Sequence, residues 1–193
     1  MSRLKILQYG HPLLREKARE VKNPAQSTRD LITAMAETMY AANGIGLAAT
    51  QVGVMERLFV VDVDQERDDR GRRHPDIANL QVFINPEIIW ESEEDEAFEE
   101  GCLSIPNVQK DVYRPAAIGI RALDINFEPV EIEADGLLAR VIQHEYDHLN
   151  GVMFVDRLSQ LKRALVAGEL NKLKAATKAE LDQISEQYPV IID

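Results

Sequence analysis

The stretch Asp135–Asn150, Asp-Gly-Leu-Leu-Ala-Arg-Val-Ile-Gln-His-Glu-Tyr-Asp-His-Leu-Asn, decides how this chain is read. It predicts a helix capped by Asp135 and ended by Gly151. Leu137, Val141, His144 and His148 form one stripe, with Leu138, Ile142, Glu145 and Leu149 beside it; Arg140, Gln143 and Asp147 form a polar stripe. His144 and His148 stand one turn apart on one face, so both imidazoles can reach a single ion. Glu145 projects about 100° round the helix from His144, close enough to address a water on that ion without being a ligand. Two histidines and a glutamate interrupt an otherwise apolar double stripe. Burying them unpartnered is costly, and a shared metal removes most of that cost.

Two ligands do not make a hydrolytic site, and a third must come from elsewhere. A histidine six residues after the second would serve, but Phe154 stands there. A glutamate about twenty residues on would also serve; Gly168 occupies that position with Glu169 beside it. The remaining candidate is Cys102, in Glu99-Glu-Gly-Cys-Leu-Ser-Ile-Pro106, where Gly101 and Pro106 bracket a turn or irregular edge that can aim a side chain. A lone cysteine is otherwise most often a small buried hydrophobe.

Upstream, Ser27 to Asn43 reads as a first helix stopped by Gly44, followed by a glycine-rich turn from Gly44 to Gln51. Arg57 to Val63 is short, β-branched and apolar, as a buried strand is. Asp64 to Asn79 is charged, contains Gly71 and Pro75, and reads as an exposed loop. Leu80 to Ile89 and Ala117 to Ile125 read as further strands, with Asn126–Pro129 turning into a hairpin partner at Val130–Glu133. A third helix is expected from Asp156 towards Gln187, with Gly168 a candidate break and Leu158, Leu161, Leu165 and Leu173 packed inward. Antiparallel strands around a central helix and a C-terminal helix make this an α+β chain. No repeat or linker divides it, so residues 1–193 are read as a single domain.

With 193 residues, 45% of them hydrophobic, a real core can be buried. The formal net charge of −11 argues against gripping DNA, which needs clustered cations. No window approaches the roughly 18 apolar residues of a membrane span, and the start lacks a signal-like apolar stretch. One cysteine permits no internal disulfide, and the cytoplasm is the expected compartment. Glu91 to Glu100 is strongly acidic and reads as a solvated strand or loop surface.

Three motifs stand in order: Gly44-Ile-Gly-Leu-Ala-Ala-Thr-Gln51, Glu100-Gly-Cys-Leu-Ser104 and Gln143-His-Glu-Tyr-Asp-His148. With Gly10-His-Pro-Leu-Leu-Arg15 and Ile120-Arg-Ala-Leu-Asp124, they cover nearly the whole chain. Together they resemble the peptide deformylases.

The resemblance implies removal of the formyl group from the N-terminal formylmethionine of nascent polypeptides, with release of formate. It implies one divalent ion held by Cys102, His144 and His148, with a fourth position left for water that Glu145 deprotonates. The Gln51 amide and the Leu103 backbone N–H then serve the developing oxyanion. Ile45, Gly46, Gly101 and Val141 are expected to line the substrate cleft, the glycines letting a peptide backbone approach. One thiolate and two imidazoles suit zinc and iron(II) alike; the resemblance implies iron(II) in the cell, replaceable by zinc, nickel or cobalt. Between Asp156 and Lys178, Arg157, Lys162, Arg163, Lys172, Lys174 and Lys178 face only Asp156 and Glu169. The resemblance makes this basic helix a candidate ribosome contact; a solvated amphipathic helix explains it equally well.

Two other function classes fit the helix motif. A zinc endopeptidase would cut inside peptides, take a carboxylate third ligand and have no need of Cys102. A closed structural metal site would have no need of Glu145.

Overall fold

The computed structural model describes residues 3–65 and 79–187. Most of the charged loop expected over 64–79, and the tail after Gln187, lie outside the described residues.

The β2 strand (Leu58–Val61) explains the architecture, because it is apolar at every position. Leu58 and Val60 face helix α1 (Gln26–Ala41), packing with Ile32, Met35 and Met39. Phe59 and Val61 face the opposite way, towards helix α2 (Gly136–Leu149), packing with Ile118, Ile120 and Ile142. A strand covered by helices on both faces needs no polar alternation. Around it lies a five-stranded antiparallel sheet in the order β1-β2-β3-β6-β7, formed by β1 (Gly46–Ala48), β2, β3 (Gln81–Glu91), β6 (Ala117–Leu123) and β7 (Pro129–Asp135). Leu47 pairs with Val60, Phe59 with Phe83, and Ile120 with Ile132. The helices and antiparallel sheets make the fold α+β.

A second sheet is the hairpin of β4 (Asp95–Cys102) and β5 (Ile105–Pro115). Its apolar side, Ile105, Val108 and Val112, packs with Leu14, Phe154, Val155, Val166 and Leu170 in a third core cluster closed by helix α3 (Gln160–Gln187). Between the sheet and this cluster, α2 is buried nearly all round. The stripe of Arg140, Gln143 and Asp147 that reads as polar surface is therefore internal, its groups paired with the hairpin.

Several expectations change. The region from Gly44 to Gln51 contains β1 and a 3-10 turn, Ala49–Val52, rather than turn alone. α1 starts at Gln26, and the left-handed residue after it is Asn43. Gly44 serves space instead, since a Cβ there would meet Leu103 Cδ1 at 2.7 Å. Of the acidic run, Glu91 ends β3 and residues 95–100 lie in β4, where Glu100 is buried. α3 begins at Gln160 and runs unbroken through Gly168, which faces open space. Its inward face is Val166, Leu170 and Leu173, whereas Leu161 and Leu165 are 74% and 72% exposed. Of the four leucines expected inward, Leu158 and Leu173 do pack in the third cluster, and Leu161 and Leu165 do not. Among the described residues no helix is long and apolar enough to cross a membrane.

Candidate metal centre

α2 delivers His144 and His148 to one place, with ring centroids 4.9 Å apart and nearly edge-on. Cys102 arrives from the end of β4. Its two-residue turn to Ile105 and the register shift after Gly101 turn the side chain off the regular ladder, as a bulge does. Cys102 Sγ lies 3.2 Å from His148 Nε2. Ligand atoms of Cys102, His144 and His148 all lie within 4.8 Å of one another.

The competing third ligands are placed elsewhere. Phe154 stacks behind the His144 ring at 6.1 Å between centroids, as a wall of the core. Glu169 pairs with Lys172 at the surface.

Glu100 sets the chemistry of His144. Its Oε2 lies 2.9 Å from His144 Nδ1. A carboxylate can only accept there, so Nδ1 carries a proton and Nε2 is the nitrogen left to face an ion, an arrangement typical of metal-bound histidines. Glu100 is held by Arg114, whose Nε and Nη2 donate to its two oxygens at 2.6 and 2.9 Å, and by Arg140 Nη1 at 3.1 Å. Sequence reading missed the roles of Glu100 and Arg114. A signal was present: Val108, Lys110, Val112 and Arg114 keep the period of two along β5, with the charges concealing it.

Burial opposes charging His144, yet its hydrogen bonds to Cys102 and Glu100 outweigh this and raise its pKa well above the ordinary value. Burial holds His148 well below its ordinary pKa, with His144 and Arg114 adding to the effect, so its ring stays neutral. Burial also opposes ionising Glu100, but the hydrogen bonds from Arg114 and His144 prevail and keep it far below the usual carboxylate range. Burial pushes Glu145 up to about 7, despite the nearby His144. Among the described residues three buried side-chain polar atoms lack a partner; two of them, Glu145 Oε2 and His148 Nδ1, are here. One soft sulfur and two imidazoles fit a divalent transition ion.

A cleft of about 490 Å³ opens over this cluster, a size typical of small-ligand sites. Ile45, Gly46, Gly101 and Val141 all line it, with Leu103, His144 and Glu145. Gln51 is fully buried; its Oε1 accepts from Ala48 N at 2.9 Å, which turns its Nε2 towards Ser104 Oγ (3.2 Å) and Cys102 Sγ (3.5 Å). The side-chain amide therefore has one orientation, with its N–H groups at the metal cluster.

Gly46 has a second reason to be glycine beyond admitting a peptide. A Cβ there would collide with Glu145 Oε1 and meet Val141 Cγ1 at 2.8 Å. We expect Gly46→Ala to displace Glu145 and lower kcat by about 10²-fold, the usual cost of an ångström's misplacement. Metal content should be unchanged. Steady-state kinetics with metal analysis checks this; full activity would mean that the strand shifts to make room.

A family model described as polypeptide deformylase matches residues 3–164. Among curated relatives, peptide deformylase 1 of Ralstonia nicotianae is 48% identical over 172 residues, covering 89% of this chain and 96% of the relative. The peptide deformylase of Salinibacter ruber is 44% identical over 189 residues, covering 97% and 94%. Among solved structures, a peptide deformylase from Legionella pneumophila superposes with a TM-score of 0.80 at 40% identity, covering 92% of this chain and 98% of that one. With a matched family model spanning most of the sequence and relatives this similar over nearly their full length, the chain belongs to the polypeptide deformylase family.

Proposed function

We propose that this enzyme hydrolyses the formyl group from N-formylmethionyl nascent peptides, using a divalent ion on Cys102, His144 and His148 and proton transfer by Glu145. One observation carries the reading: the Cys102–His144–His148 triangle and the unpartnered Glu145 Oε2 converge on one cleft. A divalent ion bound there supplies Lewis acidity, acidifying water and polarising a carbonyl.

The chain's own residues do the rest. Glu145, buried and raised to about 7, is suited to take a proton from the attacking water at neutral pH and return it. The formyl oxygen, as it gains charge, is met by the Gln51 Nε2–H and the Leu103 backbone N–H. Glu145 then gives the proton to the departing nitrogen, and the C–N bond breaks to leave formate and a free amine. Ile45 and Val141 form the apolar wall for the methionine side chain, and Gly46 and Gly101 give the peptide backbone room. His144 is kept in the ligating tautomer by Glu100.

Iron(II) is the proposed cellular ion, with zinc, nickel or cobalt able to replace it, and the cytoplasm, where formylated chains emerge, the proposed compartment. Ribosome contact through α3 belongs to the same proposal; Lys172 is exposed on it. Charge reversal at Lys172, Lys174 and Lys178 should abolish co-pelleting with ribosomes, and unchanged pelleting would end that part.

The test is product analysis of a formyl-Met tripeptide. Formate and an intact free-amine tripeptide are expected. Internal cleavage with the formyl group retained would favour an endopeptidase instead.

A further inference from the structure

The buried ion pairs around His144 do not end at Glu100. Arg114, 2% exposed, gives two N–H groups to Glu100 and its Nη1 to Asp147 Oδ2 at 2.7 Å. Asp147 is also buried, and both its oxygens accept from Arg157, through Nε and Nη2. Arg157 follows the 3-10 turn Phe154–Asp156, has a side chain 44% exposed, and borders a groove with Trp90, Tyr146 and Asn150. It does not line the catalytic cleft. The sequence His144–Glu100–Arg114–Asp147–Arg157 thus runs without a gap from a proposed metal ligand to solvent.

We propose that Arg157 is a positioning residue for the metal centre, acting through Asp147, Arg114 and Glu100 on the His144 ring. The inference rests on the metal site proposed above. Asp147, satisfied at both oxygens by Arg157, needs only one donor from Arg114, which leaves Arg114 free for its two-pronged grip on Glu100. Without Arg157, Asp147 is a buried carboxylate short of partners, a costly state. Besides Arg157, the side chain bonded to Asp147 is that of Arg114. As Arg114 turns towards Asp147, its Nη2 leaves Glu100 Oε2, the oxygen that faces His144 Nδ1. Arg140 continues to hold Oε1, so the loss falls on the oxygen that orients the ligand.

Groups that orient a metal ligand from behind typically cost about 10–100-fold in metal affinity when removed. We therefore expect Arg157→Ala to weaken cobalt(II) binding by about tenfold and to change the visible spectrum of the cobalt-saturated protein. Arg157→Lys, which keeps the charge but not the paired donors, should fall between. Arg163→Ala is the control: it removes an exposed arginine from the same region that pairs with Asp156 at 3.4 Å and touches none of the five groups. KM for a formyl-Met peptide should stay as it is while kcat falls. The experiment is chelator competition for cobalt(II) with the full chain and these three variants, beside the spectra. Should Arg157→Ala not fold, Arg157→Lys against Arg163→Ala decides. An Arg157 variant that binds cobalt(II) as tightly as the parent, with the same spectrum, would overturn the positioning role alone. Equal losses in the Arg157 and Arg163 variants would overturn it too, by showing general destabilisation. A parent chain that binds no cobalt(II) would overturn the metal site and this inference with it.

Discussion

Replacing Glu145 by Gln leaves the metal in place and lowers kcat by about 10²–10⁴-fold, the range general acid–base groups contribute. The substitution preserves volume at a buried position and touches none of Cys102, His144 and His148 as ligands. On the proposed mechanism, what it removes is the group that takes a proton and hands it back. KM should change little, because the walls of the cleft are intact. A stability effect has a definite sign as well. Burial raises the folded-state pKa of Glu145 to about 7, above its ordinary 4.5. The folded state therefore favours the protonated carboxyl, and the stability it contributes is complete below pH 4.5 and lost as pH rises through 7. The metal-free Gln variant should accordingly gain on the metal-free parent between pH 5 and pH 8, read as the difference in urea midpoints. A Gln variant that loses ground to the parent as pH rises would contradict the burial of this carboxyl.

Cys102→Ala is expected to lose stoichiometric metal and, with it, all measurable formate release. His144 and His148 remain one turn apart, but two imidazoles alone hold a divalent ion weakly, and structural or catalytic sites use three or four protein ligands. The fold should survive. Cys102 stands half-buried at the end of β4, and the hairpin core rests on Ile105, Val108 and Val112 rather than on its sulfur. Metal content after desalting, with circular dichroism beside it, reads both halves. A Cys102→Ala protein that keeps one ion per chain would mean that the site closes with another ligand.

Much of the site was legible because its signals are local. His144, Glu145 and His148 lie within one helical turn, where spacing alone fixes geometry, and Cys102 is the only cysteine in the chain. Gln51 and Gly46 came within reach through motif resemblance, and both line one cleft with Cys102, His144 and Glu145. The sheet strands were found at β2, which is apolar throughout, and also at β3, β6 and β7, which are not.

What escaped depends on tertiary placement. Glu100 reads as one more acid in a charged run, and only the docking of the β4–β5 hairpin on α2 buries it against Arg114 and His144. The hairpin itself was unread because Lys110 and Arg114 occupy the inward period of β5 where apolar residues would announce a strand. Arg140, Gln143 and Asp147 looked like solvent face for the same reason: charge on a helix signals water unless a partner element supplies the counter-charge. On α3, leucines at 161 and 165 suggested an inward face, yet the register is set by Val166 and Leu170 against the hairpin. Gly46 was legible as glycine, but the closeness of Glu145 behind it was not.

In the proposed function, formyl hydrolysis depends on an ion held by Cys102, His144 and His148. This dependence is tested most directly by preparing the metal-free chain, reloading it anaerobically with graded iron(II), and measuring formate release from a formyl-Met peptide at each loading. The expected result is a rate that rises in proportion to bound iron, passes through zero without it, and levels off at one ion per chain. Formate released at the full rate by the metal-free chain would contradict the account.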